Sequence, residues 1–345
     1  MRILVQIGHP AHVHFFKNFM WEAQKSGHEI YISAIDKEVT LDLLRKYNFS
    51  YEVSEKKRTN FFGNVIQLVK GDLKTYKMQR QHNVDLIIGI PNEFGAHVSK
   101  ITKAKSIGFT DTEHAKLSNL ITFPFIDVIC TPSCYKKNIG KKQIRYNGYH
   151  ELAYLHPNYF TPNPEVLDEL GLNKDQPFII LRFVSWNASH DVGQHGINNK
   201  IKFVRELEKY CKVLITSEGE LDDGLEKYRI ETSPEKLHDL LYYASLYVGD
   251  GATTAVESAI LGTPSIYVSS LVGTMGNFIE LENNYGLIFN YNDPDKALDK
   301  AVDLIQKPNL KEDWKLKREQ LLKDKIDVTA FMLELIESYP NFSQV

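Results

Sequence analysis

Short apolar runs alternate with helical apolar periodicity twice along this chain, and that alternation constrains its fold more than any other feature. The first round opens MRILVQIGHPAHVHFFKNFMWEAQKSGHEIYIS. Ile3 to Ile7 form a continuous apolar run bounded by Gly8 and Pro10, the pattern of a strand buried on both faces. Phe16, Phe19, Met20 and Ala23 recur at i, i+3, i+4 and i+7, one face of a helix that stops at Ser26-Gly27. Glu29 to Ile35 make the next strand, so the opening is a strand–helix–strand crossover of the kind that builds parallel sheets. The pattern continues with helices near 40–47 and 64–82, a strand at 85–90, a helix at 95–103, and strands at 105–109 and 127–131. The Pro- and Asn-rich HPNYFTPNPE (156–165) reads as a linker.

After it the alternation restarts: strand 178–184, helix 197–210, strand 212–217, helix 234–244, strand 246–249, helix 253–261, strands 265–270 and 286–290, then helices from 295 to 339. With 345 residues the chain is long for one core. The expectation is an α/β protein of two Rossmann-like domains, 1–160 and 165–325, facing each other across a cleft. A final segment, 326–345, is expected to cross back onto the first domain. Ligands of such sheets bind at the carboxyl ends of strands, so the loops after Ile7, Ile90, Val184, Ser217 and Gly249 are where chemistry is sought.

A net charge of −3 gives no basic face for nucleic acid. Three sparse cysteines, Cys130, Cys134 and Cys211, suggest structural thiols in a reducing compartment. No stretch is apolar for long enough to span a bilayer, and the N-terminal run is too short for a signal-peptide core, so a cytoplasmic protein is expected.

The most informative segment is SPEKLHDLLYYASLYVGDGATTAVESAILGTPSIYV (233–268). A strand runs straight into Gly249-Asp250-Gly251-Ala252-Thr253-Thr254, with two glycines for a tight turn and two hydroxyls at the first turn of a helix. Unpaired amides and the helix dipole make such a turn a natural phosphate seat. Glu257, one turn on, is placed to hold a ribose diol. Against this, any strand–helix turn needs glycines and caps, and Glu257 then reads as a solvated helix residue.

This arrangement, running through Leu261-Gly262-Thr263-Pro264, resembles the nucleotide-sugar half of GT-B glycosyltransferases, most closely the branch of MurG, the UDP-glucuronosyltransferases and the UDP-N-acetylglucosamine 2-epimerases. The whole chain also resembles a family of archaeal and bacterial GT-B-like proteins of roughly this length. The resemblance implies that Gly251, Thr253 and Thr254 face a diphosphate and Glu257 the nucleotide ribose. It further implies an inverting, metal-independent transfer from a nucleotide-diphospho-sugar, UDP-linked for preference, with no bound cofactor. A glycan or polyprenyl-linked acceptor, peripheral contact with the inner face of the membrane and a place in cell-envelope polysaccharide synthesis complete what it implies. In MurG-like openings a loop histidine precedes a GHE-type turn, and here Gly27-His28-Glu29 follows His12 at the same spacing. His12 is thereby singled out from His9 and His14.

An imidazole titrates near neutrality and suits the deprotonation of a sugar hydroxyl. A helix N-terminus would keep the His12 ring uncharged. A zinc site from His9, His12 and His14 is disfavoured by their spacing across a turn. Arg182 and Ser185, at the end of the first strand of the second domain, are candidates for the donor phosphates, with His190 and Asp191 as sugar contacts. Glu218 is a candidate for the base-binding region. Glu93, Asp111, Glu113 and His114 follow strands of the first domain, and Asp111 or Glu113 could replace His12 as base. The basic run Lys136, Lys137, Lys141, Lys142 and Arg145 reads as a solvated face or a seat for anionic headgroups. Two other readings stand beside transfer: a UDP-sugar 2-epimerase or hydrolase, and a non-catalytic nucleotide-sugar binding protein.

Overall fold

A computed structural model describes residues 1–56, 61–173, 176–184, 196–217 and 219–338. The chain divides into two units, one comprising Met1–Tyr159 with the chain from Ile326 onward, the other Phe160–Lys325.

In the first unit the chain order is β1 (Arg2–Ile7), α1 (Pro10–Lys25), β2 (Glu29–Asp36), α2 (Thr40–Lys46), β3 (Glu52–Lys56), α3 (Phe61–His82), β4 (Leu86–Gly89), α4 (Glu93–Ile101), β5 (Lys105–Phe109), α5 (Lys116–Thr122), β6 (Val128–Pro132), β7 (Gln143–Tyr146) and α6 (Leu152–Leu155). The strands pair in parallel in the order β3-β2-β1-β4-β5-β6-β7. Ile3, Leu4 and Val5 of β1 are fully buried, as the unbroken apolar run requires of a central strand. On α1, Val13, Phe16, Phe19, Met20 and Ala23 are buried.

Strand order reverses between β1 and β4, so the loops leaving these two strands border the crevice where ligands of such sheets bind.

The second unit holds α7 (Glu165–Glu169), β8 (Phe178–Phe183), α8 (Lys200–Leu207), β9 (Lys212–Ser217), α9 (Leu237–Tyr243), β10 (Leu246–Gly249), α10 (Ala252–Leu261), β11 (Ser265–Val268), α11 (Gly276–Asn283), β12 (Ile288–Tyr291), α12 (Pro294–Ile305) and α13 (Leu310–Asp324). Its parallel sheet has the order β12-β11-β10-β8-β9. The chain leaves β8 toward one edge and β10 toward the other, so the switch point lies between these adjacent strands. Beyond this unit the chain re-enters the first, where α14 (Val328–Glu337) packs on α1 and α6. Ile326 N–H donates to the Asn147 carbonyl, and Thr329 Oγ1 to that of Ala153. Among the described residues no helix is long and apolar enough to cross a membrane.

Candidate functional site

The switch point of the second unit is built around Gly249-Asp250-Gly251. In register, Gly249 sits beside Arg182, and a Cβ on Gly249 would lie 2.6 Å from the Arg182 carbonyl and from Tyr247 Oη. Only a residue without a side chain admits that approach. The Asp250 side chain is buried, and its Oδ1 accepts the Val184 N–H at 2.8 Å, tying the exit of β8 to the exit of β10. Tyr247 Oη donates to the Gly251 carbonyl at 3.1 Å.

The first turn of α10 is what these contacts hold. Its first helical bond runs from Ala255 N–H to the Gly251 carbonyl, and among the described residues no side chain caps the helix. The amides of Ala252, Thr253 and Thr254 are therefore presented at the carboxyl edge of the sheet, where a helix carries its partial positive charge. Thr253 is exposed and Thr254 is buried. A Cβ on Gly251 would stand 3.1 Å from both Cδ and Nε of Arg182, so the glycine lets that cationic side chain lie against the turn. Arg182, Gly251, Thr253 and Thr254 are brought together: open amides, one exposed hydroxyl and a guanidinium, a set suited to an anion of more than one negative charge.

Glu257 is not the solvated helix residue of the alternative reading. It is 4% exposed, and its Oε1 lies 2.9 Å from Nε2 of His238 on α9. The helix that carries it ends on Gly262 at φ +82, a left-handed cap. Thr263 Oγ1 then bonds the Leu241 carbonyl at 2.7 Å. Gly262-Thr263 thus stops α10 and locks it to α9, which keeps the His238–Glu257 pair inside. Ser185, His190, Asp191 and Glu218 lie outside the described residues.

In the first unit the three histidines of the opening separate. Nδ1 of His9 accepts from Ala11 N–H at 3.1 Å and caps α1. His14 is buried, its ring centroid 5.5 Å from that of Tyr154. His12 stays partly accessible at the first turn of α1, with Gly8 N–H donating to its Nδ1 at 3.2 Å. Desolvation, then the positive charge of neighbouring His9 and Lys37, hold the His12 imidazolium well below its ordinary range, so the ring is uncharged at neutral pH. A ring that accepts at Nδ1 while neutral carries its hydrogen on Nε2. Among the described residues no group of three His, Cys, Asp or Glu side chains is arranged to hold a metal ion.

Asp111, two residues past β5, is half-buried and accepts from Thr112 Oγ1 at 3.0 Å. Its Oδ2 lies 3.5 Å from Nδ1 of His150. His150 is buried against the Phe15 ring, 4.5 Å between centroids, and burial lowers its titration against the pull of Asp111. Glu113, by contrast, is a loop anchor: its buried carboxylate accepts from Lys136 N–H at 3.1 Å and its carbonyl from Lys137 Nζ at 2.7 Å. Arg145 donates to the carbonyls of Ser133, Tyr135 and Lys137, and Lys142 to those of Phe123 and Pro124. Much of the basic run is thereby engaged in stapling loops. Glu93 starts α4, and burial raises its carboxyl above the usual range.

Sequence reasoning passed over His150, His238 and the pinning role of Asp250. His150 follows β7, whose sequence QIRY has too little apolar character to mark a strand or the loop that leaves it.

Two successive parallel α/β units, the second with an open helix N-terminus at its switch point, define the GT-B class of fold. Within it, the chain belongs to the family described as "Protein of unknown function (DUF354)", whose model matches residues 1–339. It is 26% identical over 319 residues to the uncharacterized protein MJ0665 of Methanocaldococcus jannaschii, covering 84% of this chain and 90% of that one. Among solved structures it is similar to a UDP-GlcNAc 2-epimerase from Neisseria meningitidis bound to UDP-GlcNAc, with TM-score 0.68, 11% identity, and coverage of 98% of this chain and 100% of that one. It is likewise similar to the Streptomyces sp. SF2575 glycosyltransferase SsfS6, with TM-score 0.63, 13% identity and coverage of 98% and 99%. Transferases and epimerases alike share this architecture.

Proposed function

We propose that this protein is an inverting glycosyltransferase that takes its sugar from a nucleotide-diphospho-sugar, with a UDP-sugar the first choice. The observation that supports it is the uncapped first turn of α10 beside Arg182, at the switch point of a GT-B unit. Its amides bind the diphosphate and take up the charge that develops on the leaving group, without need of a metal. The fold neighbour with bound UDP-GlcNAc supports the donor class. The first unit supplies proton chemistry, through His12 and Asp111. Transfer is favoured over 2-epimerisation because Thr253-Thr254 stands where an epimerase is expected to carry a serine-glycine turn, and the sequence Arg182-Phe183-Val184-Ser185-Trp186-Asn187 matches the epimerase turn poorly. A glycan or polyprenyl-linked acceptor at a membrane face fits the exposure of Leu73, Ile101, Leu117 and Leu120, each more than 60% accessible in the first unit.

Incubation with a panel of nucleotide sugars tests the reading. A transferase releases nucleoside diphosphate slowly from donor alone and faster when a polyprenyl-phosphate or glycan acceptor is added. Conversion of the sugar with no release of nucleotide would make the protein an epimerase. Binding with neither outcome would make it a sensor.

A further inference from the structure

Two observations in the first unit divide its proton chemistry between residues in a way the opening sequence does not suggest. His12 receives the Gly8 amide on Nδ1, so the nitrogen left for a substrate is Nε2, and in the neutral ring Nε2 holds the hydrogen. Such a ring donates a hydrogen bond outward and has no lone pair there to take a proton. Asp111 is the opposite case. Its carboxylate is partly open, with side-chain exposure of 21%, and has a donor on each oxygen's side: Thr112 Oγ1 at Oδ1 and His150 Nδ1 near Oδ2. For His150 to sit with Nδ1 beside a carboxylate, its hydrogen belongs on Nδ1. Its Nε2 is buried without a hydrogen-bond partner, so that nitrogen contributes nothing to packing that a carbon would not. A buried imidazole with one nitrogen unsatisfied is costly, and the other nitrogen faces Asp111.

We propose that Asp111, oriented by the buried His150, is the proton acceptor of this protein, and that His12 serves as a hydrogen-bond donor to a substrate oxygen. The proposal rests on the glycosyl-transfer reading. In that reaction the acceptor oxygen bonds to the anomeric carbon as its hydrogen passes to Asp111. The bond from that carbon to the diphosphate oxygen breaks, and the electron pair departs with the nucleoside diphosphate. Protonated Asp111 then returns its proton to solvent. His150 touches no substrate and is a positioning residue.

The first measurement needs no substrate: side-chain nitrogen NMR of the histidine-labelled full-length protein at neutral pH, with His12→Gln and His150→Asn spectra for assignment. His12 is expected as the Nε2–H tautomer and His150 as the Nδ1–H tautomer. A hydrogen on Nδ1 of His12, a doubly protonated His12, or an Nε2–H tautomer of His150 would overturn the proposal. The second uses turnover of whichever nucleotide sugar the panel identifies. Asp111→Asn, which keeps size and an acceptor oxygen for one of the two donors, is expected to lose about 10²–10⁴ in kcat with donor affinity unchanged. His12→Gln, whose amide N–H stands where Nε2–H stood, is expected to lose no more than about tenfold, whereas a base at position 12 would be abolished by it. His150→Leu is expected to lower kcat and shift the pH–rate profile without raising KM, and His150→Asn, which restores an N–H toward Asp111, to recover most of the loss. Equal loss in both His150 variants, tracking stability alone, would reduce it to a packing residue and overturn the positioning role. Should no nucleoside diphosphate bind, the donor reading fails while the tautomers remain as stated, so the two failures are distinguishable.

Discussion

Glu257 meets two demands that pull on one carboxylate. It lies one turn inside α10, where a ribose is expected, and it is paired at 2.9 Å with His238 in the interior. Glu257→Ala therefore removes the carboxylate that faces the buried His238 ring, at a cost of about 1–3 kcal/mol. A fall in melting temperature is expected together with weaker nucleotide binding. His238→Gln, which keeps a donor to the carboxylate, should restore stability in an otherwise native chain far better than His238→Leu; equal losses in the two would show that the pair contributes nothing. His12 stands out in the sequence as a candidate, from its loop and its spacing to Gly27-His28-Glu29. Its tautomer does not, because that depends on where the Gly8 amide points. His238 was unreadable for another reason. A histidine on the inner face of a leucine-rich helix gives no sign of its partner until Glu257 is placed one helix away.

At the scale of elements, α10 is built differently at its two ends. Its N-terminus is open and its C-terminus is tightly closed by Gly262 in the left-handed region. A Cβ there would also stand 2.9 Å from Cδ of Arg318, whose Nε donates to the Ile260 carbonyl. Gly262→Ala is expected to destabilise the protein by about 1–2 kcal/mol through strain at positive φ and displacement of Arg318. Urea unfolding measures it, and an unchanged midpoint would contradict the capping role. Strands β1, β8 and β10 were legible as apolar runs because each is buried on both faces. Others were hidden by their surroundings. β3 (EVSEK) and β7 (QIRY) lie at the edges of the sheet and carry few apolar residues. The leucines of α5, Leu117 and Leu120, point outward at 70% exposure, so they gave no core-facing period to read.

For the whole molecule, two histidines weaken stability toward acid. His12 and His150 are both held below the ordinary histidine range by burial, so they bind fewer protons folded than unfolded. Their contribution is complete above the unfolded value of about 6.5 and is lost as pH falls beneath it. His97 has the opposite sign. Its Nδ1 lies 3.0 Å from Asp72 and its Nε2 3.0 Å from the Ile121 carbonyl, and the Asp72 bond raises its titration. That stabilisation is present below about pH 6.5 and fades as pH rises through the raised folded value. The melting-temperature difference between wild type and Asp72→Asn should accordingly be largest in mild acid and shrink toward alkaline pH; a difference that grows with pH would refute the pairing. Two rounds of alternation were enough to read two α/β units from sequence, since parallel strands need crossovers and crossovers leave that period. The central claim is chemical, that the first turn of α10 with Arg182 holds a pyrophosphate. Calorimetric titration of the full chain with UDP, UMP and uridine tests it most directly. UDP should bind at least about tenfold more tightly than UMP, uridine should not bind measurably, and Arg182→Ala should remove most of the advantage of the second phosphate. Equal binding of all three, or an UDP affinity untouched by Arg182→Ala, would contradict the account.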